Sequence, residues 1–134
     1  MGTRFIPKPE DWLQFAKNDL KAARALLVAD EGLLSSVFYH IQQGIEKALK
    51  GYLLFKQVPI RKTHDLVRLA ELCTELDIDF SIILNDAKDI NPYSTVTRYP
   101  DDYYALPSLD TAHVLLSKAE GVYTFVEAKI FAIY

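Results

Sequence analysis

Within VFYHIQQGIEKALKGYLLF, residues 37–55, four polar side chains recur at intervals of three or four: His40, Gln43, Lys47 and Lys50. At ~100° per residue this spacing puts them along one side of a helix, where they could hold a phosphate or a base through charge and hydrogen bonds. A second group lies in PIRKTHDL, where Arg61, Lys62, Thr63, His64 and Asp65 sit at a turn before a new helix. Free amides at a helix N-terminus also bind anions. A third group is Arg98, Tyr99, Asp101, Tyr103 and Tyr104, in which an arginine holds phosphate and tyrosines stack bases. Each group also fits a plainer role. His40 fits a satisfied interface histidine, and His64 a local capping residue. Lys47 and Lys50 fit a solvated face with Glu46 paired to Lys50. Arg98 and Asp101 fit an ion pair pinning a loop, and the tyrosines fit loop packing.

Other chemistry lacks support. None of the five glycines makes a phosphate loop or dinucleotide fingerprint, and His40, His64 and His113 have no metal-ligand spacing. The serines lack a nucleophile-elbow motif. No cofactor is expected. The formal charge of −3 provides no global basic field, so nucleic acid would have to meet a local patch. Cys73 stands alone in an apolar stripe and reads as a packing residue.

The elements that position these groups are helices. The length of 134 residues fits a single domain spanning 1–134, with half its residues hydrophobic. No apolar run approaches the ~18 uncharged residues of a membrane span, and the start MGTRFIPKPEDW lacks a secretion signal, so a cytoplasmic location is expected. Helix one is predicted from near Glu10, with Trp12, Ala16, Ala23, Leu26 and Leu27 as its apolar stripe. Asp19 lies on that inward side. It either reaches water at the margin or pairs with Lys47 or Arg98.

Helix two carries Val37, Phe38, Ile41, Ile45, Ala48, Leu49, Tyr52 and Leu53 in one apolar arc, with Gln42 inside it. Ser35 or Ser36 is its expected cap, and it stops before Val58 and Pro59. Gly44 and Gly51, one heptad apart beside the polar side, each cost about 1 kcal/mol in a helix interior, so close approach of something to this face is expected. Thr63 is the expected cap of helix three, which buries Leu66, Leu69, Ala70, Leu72, Cys73 and Leu76. After a break at 77–79, a short helix four packs Ile82, Ile83, Ala87 and Ile90 inward. A long loop follows from Asn91, and Ser108 caps a last helix bearing Ala112, Leu115, Leu116, Ala119, Val122, Val126 and Ile130. The fold class is all-α, an up-and-down bundle of four main helices plus one short helix.

The stretches DWLQFAKNDLKAARALL, FYHIQQGIEKALKGYLL, KTHDLVRLAELC and RYPDD, in this order over nearly the whole chain, resemble the HEPN family. HIQQGIEKALKG followed by THDL is the most specific part. The resemblance implies a helical bundle, frequent homodimers, and small prokaryotic members paired with a minimal nucleotidyltransferase as toxin and antitoxin. Many HEPN toxins are metal-independent endoribonucleases with an arginine, four to six residues, then a histidine, two such motifs meeting across a dimer. Here no histidine follows an arginine at that distance: Arg61 precedes His64 with two residues between, and Arg98 precedes His113 by far more. The expectation is therefore a non-catalytic domain binding nucleotide or partner through Asp19, His40, Gln43, Lys47, His64, Arg98, Tyr99 and Asp101. The alternative is a ribonuclease with a divergent site, Arg61 with His64 or Arg98 with His40.

Overall fold

The computed structural model describes residues 6–29, 33–59, 62–93 and 107–132. Within them run five α-helices: α1 (Pro9–Ala29), α2 (Leu34–Phe55), α3 (Leu66–Leu76), α4 (Ser81–Ile90) and α5 (Leu109–Phe131). No strand occurs among the described residues. The all-α bundle read from periodicity is the observed fold, because each helix carries an apolar stripe that only neighbouring helices can cover.

Helix α2 is the central element. It packs along α1 and α5, while α3 and α4 close the other side. Val37, Phe38, Ile41, Ile45, Leu49, Tyr52 and Leu53 are all fully buried, as their arc requires. Helices α1 and α2 run antiparallel: Leu20 and Ala16 meet Gly44, and Trp12 and Pro9 meet Gly51 one heptad later. The close approach expected at these glycines is therefore made by α1 of the same chain. A Cβ at Gly44 would lie 2.6 Å from Leu20 Cδ2, and one at Gly51 would lie 3.0 Å from Trp12 Cβ.

Helix α3 enters beside the middle of α2, so that Cys73 reaches the Leu49 carbonyl and is buried as expected. Burial pushes its thiol up to about 12. Tyr52, Phe80 and Phe125 join α2, the 3-10 turn Ile78–Phe80 and α5 through ring contacts with centroids 4.3 and 5.0 Å apart. At the same end Lys129 Nζ lies 2.8 Å from Asp77 and 2.6 Å from Asp79.

Several local expectations change. Helix α2 starts at Leu34 with Leu33 at the cap position and no side-chain cap, because Leu34 packs on the core and draws Ser35 and Ser36 into the first turn. Asp65, not Thr63, caps α3, accepting from the Val67 and Arg68 amides. A carboxylate directly before the helix reaches those donors; Thr63 instead accepts from the Asp65 amide. Ile82 is 72% exposed, because the inward arc of α4 is Ile83, Ala87 and Ile90 at helical spacing. Leu76 is likewise exposed, at the last turn of α3. The 77–79 break is partly the 3-10 turn, with Asp77 accepting from the Asp79 amide. Ser108 does cap the last helix, accepting from the Thr111 amide.

The end of α2 follows a Schellman pattern. The Gln57 amide donates to the Leu54 carbonyl and the Val58 amide to the Leu53 carbonyl, with Gln57 at φ 61°.

Candidate functional site

Two carboxylates organise the polar residues of α2. Asp19, on α1, accepts from both sides of Gly44: its Oδ1 is 2.8 Å from His40 Nδ1 and its Oδ2 is 2.7 Å from Lys47 Nζ. The glycine and the ion pair are one device. Without a side chain at Gly44, Leu20 seats directly on α2, and its neighbour Asp19 comes within reach of residues on both flanks. The Asp19 side chain is 12% exposed, so the pairing with Lys47 is realised rather than the margin position; His40 and Lys47 remain partly open to solvent. Neither His40 nor Lys47 is an idle surface group.

The second carboxylate, Glu46, faces the opposite flank of α2. Gln42 Nε2 donates to its Oε1 at 2.9 Å, Lys50 Nζ to its Oε2 at 3.1 Å, and His64 Nδ1 lies 2.9 Å from Oε1. The Gln42 amide also meets the His64 carbonyl at 3.4 Å, and Gln43 Nε2 donates to Gln42 Oε1 at 2.8 Å. Burial pushes the Glu46 carboxyl up, but hydrogen bonds from Gln42, His64 and Lys50 outweigh it and hold the group below its ordinary 4.5. A buried charge needs this saturation by donors.

The solvated pair expected of Glu46 and Lys50 is not what forms: both side chains are buried, and His64, from the segment before α3, reaches Glu46. Nor does His64 act as a local cap; it reaches across to α2 instead. Gln42 and Glu46 lie outside the groups singled out from the sequence, and Lys50, read there as a phosphate-holding or solvated lysine, is instead buried against Glu46. The signal that could find them is Gln42 inside an apolar arc with Glu46 one turn on: a polar pair there needs a third partner. Arg98, Tyr99 and Asp101, and Arg61 of the alternative pairing, lie outside the described residues, so the structure brings together Asp19, His40 and Lys47, and separately Gln42, Gln43, Glu46, Lys50 and His64. Tyr93 stacks on Phe38 with centroids 5.0 Å apart, which is the packing role.

Both histidines turn Nδ1 toward a carboxylate. With Nδ1 carrying the proton, Nε2 is left as an acceptor or base, and the carboxylate fixes the ring. Each lysine keeps further N–H donors beyond the one that meets its carboxylate. The arrangement is suited to positioning donors and to holding a proton at a ring nitrogen. No cluster able to hold a metal ion occurs among the described residues, nor is any helix there long and apolar enough to cross a membrane.

An all-α bundle with an acid-anchored polar face along its central helix is the class these features define. The family model of the HEPN domain matches residues 9–129, and the chain belongs to the HEPN domain family. Two solved structures are similar. TT1696 from Thermus thermophilus shares 28% identity, with 92% of this chain and 99% of that chain covered and a TM-score of 0.76. ST0689, an archaeal HEPN homologue, also shares 28% identity, with 93% and 99% covered and a TM-score of 0.72. A comparison with curated proteins finds no match.

Proposed function

We propose that this HEPN domain is a non-catalytic binding module, a homodimer that takes up a nucleotide or partner carboxylates and works with a minimal nucleotidyltransferase in a toxin-antitoxin pair. The observation that carries this reading is the sharing of Asp19 between His40 and Lys47 on a partly open face. One carboxylate holds two donors in fixed positions before any ligand arrives, which lowers the ordering cost of binding. A phosphate oxygen accepts from the free donors of Lys47, His40 Nε2 accepts from a hydroxyl or amine of the ligand, and Gln43 extends the row. Arg98 and Asp101 meet charges of the ligand or partner, and Tyr99 stacks. His64 is tied to Glu46 and serves by holding the start of α3. The absence of the family's Arg and His spacing supports a binding rather than a cleaving role.

The test is calorimetric titration of the purified chain with AMP, with ATP and with a purified minimal nucleotidyltransferase. Micromolar binding that weakens at least tenfold in Lys47→Ala, with folding retained, is the expected result. Undetectable nucleotide and nucleotidyltransferase binding at high micromolar concentration overturns it. Light scattering tests the homodimer.

One observation favours the ribonuclease alternative: the carboxylate contact at Nδ1 of both His40 and His64 is the arrangement that poises a histidine for proton transfer. Expression toxicity lost in His40→Ala or His64→Ala, with cleaved RNA ends, supports it. Harmless expression with intact RNA removes it.

A further inference from the structure

A cleft of about 460 Å³ opens between α1 and α5, on the far side of α1 from Asp19. Its size falls within the roughly 300–1,000 Å³ of small-molecule sites. The walls are apolar: Leu20, Ala25, Val28 and the ring of Tyr123. Val28 is 75% exposed, a large aliphatic side chain held open at the mouth. Burial, together with the hydrogen bond to Glu127, pushes the Tyr123 phenol up to about 12, so this wall is uncharged at neutral pH.

The rim is cationic. Lys17, Lys21 and Arg24 line it at positions i, i+4 and i+7 of α1. Like charges at such spacing disfavour a helix unless something offsets them. Arg24 has an offset in Glu120 of α5, with Nε 3.3 Å from Oε2. Lys17 and Lys21 make no ion pair or side-chain hydrogen bond among the described residues. They stand two residues either side of Asp19, which turns the other way toward α2, so the cleft is separate from the His40 and Lys47 site.

We propose that this cleft is a binding site for a small amphipathic monoanion, an apolar body inserted between α1 and α5 with one carboxylate held by Lys17 and Lys21. The two cations, without acidic partners among the described residues, call for negative charge at the rim, and the apolar walls call for a hydrophobic body. Glu120 on the facing wall is paired with Arg24 and adds no net charge, so it is the apolar walls that favour a ligand with one anionic group and a hydrophobic body over a polyphosphate.

The test is a titration of the isotope-labelled full chain with 2-naphthoate, followed by amide and methyl NMR, beside its neutral analogue 2-naphthalenemethanol and AMP. Saturable shifts are expected at Ala25, Val28, Tyr123 and Thr124 with naphthoate, and weaker binding of the alcohol. Lys17→Gln and Lys21→Gln should each weaken naphthoate about two- to fivefold, with an effect that fades at high salt. Ala25→Trp, at a solvent-facing position, fills the cleft and should abolish binding; Val28→Glu is the second variant, setting a repelling charge at the mouth. Absence of shifts at millimolar naphthoate, equal binding of the alcohol, preference for AMP at these residues, or unaltered binding by both cleft variants would overturn the proposal.

Discussion

Glu46 and Lys50, one turn apart on α2, form an ion pair whose side chains are only 6% and 8% exposed. Two charges are thus held inside a helical core by a carboxylate that also receives Gln42 and His64. Replacing one partner of such a pair leaves the other charge buried and uncompensated.

Glu46→Gln should therefore cost about 3–5 kcal/mol of unfolding free energy. Lys50→Met should cost less, since Glu46 keeps Gln42 and His64. The double substitution should fall well short of the sum of the two, a coupling readable by urea denaturation in a double-mutant cycle.

The same carboxylate makes stability depend on pH. Its folded pKa lies below the ordinary 4.5, so the unfolded chain takes up the proton first. The contribution is present above about 4.5 and is lost as pH falls through the folded value. Urea midpoints measured downward from neutral pH should decline in this acid range, and Glu46→Gln should flatten the decline. Part of it should persist, because Lys129 also holds the Asp77 carboxyl low.

The two glycines of α2 should respond unequally to alanine. At Gly44 the added methyl meets Leu20 Cδ2 at 2.6 Å and Cγ at 2.8 Å, on a buried side chain, so Gly44→Ala should cost about 1–2 kcal/mol despite its gain in helix propensity. At Gly51 the nearest atom is 3.0 Å away, and Gly51→Ala should lie within about 1 kcal/mol of neutral. Chemical denaturation of both variants checks the order.

On the α1 side of α2, Lys47→Ala should cost about 1 kcal/mol, because Asp19 retains His40. Asp19→Ala removes two hydrogen bonds to a charged group and should cost about 2 kcal/mol. Equal and negligible effects in thermal melts would mean that the pair is not formed in solution.

Gln57 occupies the left-handed position that glycine favours at a helix end. Gln57→Gly should stabilise by about 0.5 kcal/mol, the relief of strain being partly offset by the freedom glycine adds to the unfolded chain. A rise in melting temperature is the measurement.

What the sequence determined by itself had mostly local causes, although the caps of α2 and α3 differ from those it suggested. The arc from Val37 to Leu53, the stop before Val58, the cap at Ser108 and the burial of Cys73 follow from helical period and backbone chemistry within a few residues. For Asp19 the sequence left two readings, a margin position reaching water or a pairing with Lys47 or Arg98, because a carboxylate on an inward stripe needs one or the other. Tertiary structure decided what faces what. Only the packing of α1 turned Gly44 from a point of close approach by something unspecified into the gap that lets Asp19 reach His40 and Lys47. Only the tertiary fold buried Glu46 and Lys50 and brought His64 to Glu46. The cleft between α1 and α5 belongs wholly to that second category. A helical repeat fixes which side chains share a face, whereas the partner of that face comes from residues distant in the chain.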